Sequence, residues 1–296
     1  MVNGHLFIGG NTSQAWGYRY LVGLVVGDGS RTRTSLTDPF ESRLYRGEFY
    51  LSGGVVTNQA HLVVGAGRAT GLMVQTGGTV YDKCDGNCAM VVGVAGGYGE
   101  YVLSNGLITV LKDLHVGGAT TNQLDRGWAN GLGYPAADNY PTDRHDAKGR
   151  FTIACADKSK PCKLAVTKTI TVSSDGAGLF EVVGSGADIS AKDMVVSNVV
   201  AAVDGGESKM KFVFDGSGIS TIDLSGSLTV AEGAKLDVDM SAYTGSPKTV
   251  TLIKAKNGIS GTFTPENMTL EKCIIIQSGT EIKARYYRKG FMMSVK

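Results

Sequence analysis

Between His5 and Gly118 the chain repeats itself, and that periodicity limits its possible folds more than any other property of the sequence. Two short patterns recur. One is an apolar triplet closed by glycine: Leu6-Phe7-Ile8-Gly9, Leu24-Val25-Val26-Gly27, Leu62-Val63-Val64-Gly65, Met90-Val91-Val92-Gly93 and Leu114-His115-Val116-Gly117. The other is a glycine, an alternating run and a glycine turn: Gly47-EFYLS-Gly53-Gly54, Gly71-LMVQT-Gly77-Gly78 and Gly99-EYVLSN-Gly106. The two alternate strictly from Gly47 to Gly117. Without a surplus between Gly78 and Met90, the unit is roughly 24 residues long, a period of stacked repeats and not of single folded domains.

Each unit carries three short apolar runs, such as 62–64, 72–76 and 79–81, separated by glycine or small polar residues. Runs this short, rich in Val, Leu, Tyr and Thr, read as strands. Three strands per turn at a fixed period predict an all-β fold, a right-handed parallel β-helix (β-solenoid) with inserted loops and a C-terminal strand cap. One coil cannot cover its own apolar face, so stacking must bury the core. Each fully buried Leu, Val or Ile then contributes roughly 1.5–3 kcal/mol.

The succession of Gly47-EFYLS-Gly53-Gly54, Leu62-Val63-Val64-Gly65 and Gln75-Thr76-Gly77-Gly78-Thr79-Val80 resembles the β-solenoid repeats of bacterial autotransporter passenger regions and of PEP-CTERM-associated surface proteins. The resemblance covers about residues 5–120. It implies a secreted or cell-surface bacterial protein without catalytic activity. Because the N-terminus carries no basic region followed by an apolar core, the export signal is expected to be missing from this chain, which would then be a processed piece of a longer precursor.

Composition narrows the partners. Forty-two glycines, six prolines and a net charge of +2 describe a folded, turn-rich chain without a pull toward nucleic acid. The short basic patch at Arg285–Lys289 reads as a solvated face, and no apolar run reaches the length of a membrane span. Of five cysteines, Cys84 and Cys88 lie close together, as do Cys155 and Cys162. Neither spacing fits a zinc knuckle or a CxxC redox motif, so two local disulfides are expected, with Cys273 left over.

Three regions follow: repeats over 1–118 with an inserted polar loop at 28–46, a long insertion at 119–163, and a continuation with terminal cap over 164–296. The 119–163 insertion holds Trp128, Tyr134 and Tyr140 among the acids Asp125, Asp138, Asp143 and Asp146. Aromatic rings beside carboxylates suit contact with a glycan or another partner, although packing of the loop onto the flank of the stack is the better account of them. At the C-terminus, EIKARYY and GFMMSV read as a hairpin covering the open end.

The case for chemistry is thin. A glycosidase needs two carboxylates at a fixed separation. Asp82, Asp85 and Asp113, or Asp143 and Asp146 near His145, are the candidates, yet none falls in a catalytic pattern. Calcium would find too few acids around Asp82 and Asp85. His5 and His61 stand at equivalent repeat positions, which coil geometry explains, and neither a nucleophile elbow nor a phosphate loop is present. Asn11 and Asn267 begin triplets that match the glycosylation sequon by chance.

The sequence therefore predicts no enzyme, no cofactor and no metal. It predicts an adhesin-like passenger, or the subunit of an extracellular fibre that self-associates head to tail, with a glycan or host surface as possible ligand. The alternative is a carbohydrate-active β-helix enzyme, lyase or glycoside hydrolase, or a glycan-binding module.

Overall fold

A computed structural model of the chain describes residues 5–10, 22–28, 46–66, 70–83, 89–94, 97–118, 147–155, 157–160, 162–174, 176–198, 208–245, 249–266 and 273–286. These residues are all-β, with no helix and 68% in strands. All 22 strands join one sheet. Twelve strands of a mostly parallel, nearly closed sheet go 321° round an axis.

Three ladders organise the pairing. The first is headed by the apolar triplets. It runs through β1 (His5–Gly10), β5 (Leu62–Ala66), β7 (Ala89–Val94), β9 (Asp113–Val116), the ends of β11 (Cys162–Val172) and β13 (Asp188–Val196), then β16 (Leu228–Val230) and β19 (Ile259–Ser260). Its register aligns Leu6, Leu62, Met90, Leu114, Ile170, Met194, Leu228 and Ile259. The second ladder stacks β3 (Arg46–Leu51), the first halves of β6 (Thr70–Asp82) and β8 (Tyr98–Val110), β10 (Lys148–Ala154), β12 (Ala177–Val183), β14 (Lys209–Val213), β17 (Lys235–Asp239) and β20 (Thr264–Glu266). The third uses β4 (Val55–Asn58), the second halves of β6 and β8, the starts of β11 and β13, β15 (Ile222–Leu224) and β18 (Thr249–Ala255).

The core is a set of columns, because in-register parallel pairing places like positions above one another. Phe49, Met73, Tyr101, Phe151, Phe180, Met210 and Leu236 form one column. Within it the Tyr101 and Phe151 rings stack 5.0 Å apart and Phe151 and Phe180 5.5 Å apart, an arrangement that contributes beyond burial itself. A polar partner satisfies Tyr101, whose hydroxyl donates to Gln75 Oε1 at 2.7 Å inside the core.

Glycine is required where the chain turns from the first ladder into the second. Gly65, Gly93 and Gly117 close successive triplets at φ near +75°, a region that Cβ resists. At the next level the same position is Ser173, the single non-glycine residue with positive φ among the described residues. Its Oγ accepts the Gly178 N–H at 2.7 Å, so the turn persists after its glycine signature ends. Facing these turns, Gly71, Gly99, Gly149 and Gly178 have no room for a Cβ against the neighbouring backbone.

Two features depart from the order read in the sequence. Leu24 pairs with Leu6, not with Leu62, so β2 (Val22–Asp28) lies outside β1 at the edge of the first ladder. The expected C-terminal hairpin also changes partners. Strand β22 (Glu281–Tyr286) pairs antiparallel with β21 (Cys273–Gln277) and with β18, while 290–295 lies outside the described residues. Ser278 forms the turn: its Oγ accepts the Glu281 N–H at 3.0 Å, and its own N–H donates to the Glu281 carbonyl at 2.9 Å. A local turn three residues long brings Ile275 opposite Ala284 at little cost in chain entropy.

Two glycines separate these effects. Gly99→Ala, with its Cβ forced onto the Val64 carbonyl, is expected to cost about 3 kcal/mol or more. Gly53→Ala has open space and is expected to stay within about 0.5 kcal/mol of the parent, both measured by urea unfolding.

Candidate functional site

The described carboxylates and histidines that the sequence offers for chemistry are held by the stack. At three levels the residue just before the first-ladder triplet takes the same task. His61 Nδ1 accepts the Ala89 N–H at 3.0 Å, Asp113 Oδ1 the Thr169 N–H at 3.0 Å, and Asp193 Oδ1 the Ser227 N–H at 2.7 Å. In each case the donor occupies the same position one level along. A side chain thus completes the ladder where the backbone turns away, satisfying a donor that would otherwise lack a partner. His61, read as a coil position in the sequence, serves this corner.

Asp82 is fully buried and accepts from Asn58 Nδ2 at 3.1 Å. His115 is also buried, and its Nδ1 has no hydrogen-bond partner. Burial lowers its pKa, with the nearby Asp113 carboxylate acting in the opposite sense. Asp215 binds two levels together: Oδ2 accepts the N–H and hydroxyl of Ser185 at 2.8 and 2.9 Å, while Oδ1 accepts the N–H groups of Ser217 and Gly218, both at 2.7 Å. Partial burial raises the Asp215 pKa, but those four bonds outweigh it and hold the carboxyl below its ordinary range.

Of the paired cysteines, Cys155 and Cys162 form a disulfide with Cα atoms 6.3 Å apart. It closes the corner between β10 and β11. Cys273 is a free, buried thiol whose pKa is pushed up to about 11 by that burial, which disfavours the nucleophilic thiolate. Cys84, Cys88, Trp128, Tyr134 and Tyr140 lie outside the described residues, as do Asp85, Asp125, Asp138, Asp143, His145 and Asp146.

The densest constellation of charge was not singled out from the sequence. It covers the outer face of the second ladder, where Thr152, Glu181, Lys211, Asp237 and Glu266 form one column, and Glu100, Arg150, Lys209 and Lys235 belong to the next. Glu181 is 4% exposed. Arg150 Nη2 donates to its Oε2 at 2.7 Å, Thr152 Oγ1 donates to the same oxygen at 3.1 Å, and Lys211 Nζ reaches Oε1 at 3.1 Å. Lys209 and Lys235 both meet Glu266, at 2.5 and 2.9 Å. The signal is visible only once register is known, since Arg150 and Glu181 are 31 residues apart.

This face separates two carboxyls. Burial alone would raise Glu181, but the bonds from Arg150 and Lys211 prevail and hold it below its ordinary range. Asp237 is raised, by burial first, against the pull of Lys209 and Lys211. Divergent carboxyls can mark an acid and a base. Here, however, Glu181 has both oxygens occupied, and none of these side chains lines the open groove of about 510 Å³ between Thr167, Ser190, Lys192, Asp223, Ser225 and Lys256. The arrangement joins levels to one another through charge-assisted hydrogen bonds.

No group of three His, Cys, Asp or Glu that could hold a metal occurs among the described residues, and no helix there is long and apolar enough to cross a membrane. Comparisons with protein-family models, curated proteins and solved structures find no match.

The two carboxyls are expected to respond oppositely to neutralisation. A depressed folded pKa adds stability above the unfolded carboxylate value that is lost as pH falls through the folded one; a raised pKa adds stability as pH falls. At pH 7 Glu181→Gln should cost about 1–2 kcal/mol, and the deficit should shrink on acidification. Asp237→Asn should be as stable as the parent or more so at pH 7, and lose that advantage as pH falls; urea unfolding across a pH series checks both. Replacing Cys155 and Cys162 together with serine should cost about 2–2.5 kcal/mol on the loop-entropy estimate, read by the same method.

Proposed function

We propose that this chain is a noncatalytic bacterial surface or extracellular scaffold, whose three ladders wind as a right-handed parallel β-helix that holds its inserted segments out for contact. The observation that carries this reading is the use of its polar side chains. His61, Asp113, Asp193, Asp215, Glu181 and Glu266 each bind across one level to the next. Groups committed to backbone donors or ion pairs are poor candidates for proton transfer, which requires access to a substrate atom.

The resemblance to autotransporter passenger and PEP-CTERM-associated repeats supports the same reading. The Cys155–Cys162 disulfide agrees with an oxidising destination such as the cell surface. Between the two forms of the proposal, a passenger-like spacer is favoured over a head-to-tail fibre. Among the described residues ladder two stops at β20, where Pro265 has no N–H to donate, and ladder three turns antiparallel at β22, which β21 then covers. A neighbouring copy cannot simply continue the parallel pairing from that end.

A panel of acidic and neutral polysaccharides tests the reading. Release of reducing ends and formation of unsaturated products measure turnover, and retention on immobilised glycan measures binding. The expected result is no turnover. Turnover abolished by Asp143→Asn or Asp146→Asn would replace the scaffold with the carbohydrate-active enzyme, and glycan retention lost on Trp128→Ala would identify the 119–163 insertion as the contact region.

A further inference from the structure

The outer wall of the stack is indented where the third ladder turns into the first. A groove of about 510 Å³ opens there, lined by Thr167, Ser190, Lys192, Asp223, Ser225 and Lys256. It crosses four successive strands, β11, β13, β15 and β18, and at about 4.8 Å per level it is roughly 14 Å long. Short side chains make the indentation. Ala165, Ser190 and Asp223 stand above one another on the outward face of the third ladder, and Ala165 and Ser190 do not fill the space between the longer side chains of the corner. Backbone bonds fix that corner: the Ser225 N–H donates to the Ala191 carbonyl and the Lys256 N–H to the Leu224 carbonyl, both at 3.0 Å. Lys192 and Lys256 therefore stand two levels apart, with Ser225 at the level between them.

We propose that this groove binds a linear acidic polysaccharide whose anionic groups are carboxylates, a chain of uronic acid residues. Lysine offers a compact charge with three donors on a flexible stem. The Lys192 side chain is 64% exposed and only 3.8 Å from Asp193 Oδ2, whereas Asp193 Oδ1 is committed to the N–H and hydroxyl of Ser227 at 2.7 and 3.0 Å. Lys256 is exposed as well. Two ammonium groups about 10 Å apart along the stack fall within reach of the carboxylates of one disaccharide unit. Asp223 selects against denser polyanions. It is exposed in the groove at the level between the two lysines, where it repels a sulfated or phosphorylated chain and accepts hydrogen bonds from sugar hydroxyls. Thr167, Ser190 and Ser225 add hydroxyls that donate to sugar oxygens. An open, elongated and polar trough suits a chain that passes through it, unlike the enclosed apolar cleft that holds a small ligand. The contact lies on the ladders themselves and so goes beyond the display of inserted segments.

Affinity electrophoresis of the 296-residue chain in gels containing polygalacturonate, alginate or hyaluronan tests the proposal, with dextran sulfate and double-stranded DNA as comparison probes. The parent should be retarded by at least one of the three uronate polymers and not by the methyl-esterified form of that same polymer. Lys192→Gln with Lys256→Gln should weaken the affinity at least about tenfold. Lys158→Gln with Lys160→Gln removes the same charge from exposed positions beside the disulfide and should leave it unchanged. Asp223→Asn should weaken binding of the uronate polymer and strengthen binding of dextran sulfate. Thermal unfolding of each variant confirms that these exposed substitutions preserve the fold. No retardation by any of the three polymers, equal retardation by the esterified form, or equal loss from the two lysine pairs would each overturn the proposal. Tighter binding of dextran sulfate or DNA than of the uronates by the parent would replace it with a general polyanion contact. Loss on Trp128→Ala with the Lys192 and Lys256 pair indifferent would move the contact to the 119–163 insertion. Polysaccharide turnover is read separately, so failure of this proposal and failure of the scaffold reading are distinct results.

Discussion

In-register parallel pairing is the constraint on which the rest of this structure depends. Once Gly47, Gly71, Gly99, Gly149 and Gly178 lie above one another, every other position in the second ladder is fixed. A slip of one residue would turn Tyr101 and Phe151 outward and bury Glu100 and Arg150. The stacked rings of Tyr101, Phe151 and Phe180 are then a consequence of register, and their burial repays the entropy of ordering such long-range pairs.

Corners set a second demand, because a chain that changes direction at every level cannot satisfy all its backbone groups from strands alone. His61, Asp113 and Asp193 meet that demand by the same device with different side chains. Asp215 does so at another corner with four hydrogen bonds. The tolerance is chemical: any short acceptor at the right place will serve. For that reason the position reads as scattered polar residues in the sequence and as one motif in the fold.

The outer face of the second ladder shows how charge follows the same geometry. Neighbouring levels are about 4.8 Å apart, so opposite charges in adjacent columns meet without long excursions of their side chains. Glu181, nearly buried beneath Arg150 and Lys211, is held as a carboxylate by its donors. Asp237 lies within the influence of Lys209 and Lys211, with no comparable set of bonds, and its burial acts the other way.

Much of the architecture was legible along the chain. The alternating triplets and glycine runs up to Gly117 announce strands, their period and their inward residues, because each repeat must present the same apolar face to its neighbours. Beyond Leu164 the register continues through Ile170, Met194 and Leu228 although the glycine signature lapses. Ser173 can replace a turn glycine because its hydroxyl binds Gly178, a compensation that no spacing rule records. The pairing of Leu24 outside Leu6, the exchange of hairpin partner at β22, and the meeting of Arg150 with Glu181 were decided only by tertiary structure. Local pattern specifies which face of a strand is apolar, but strand order and cross-level ion pairs depend on which edges remain free once the core has closed.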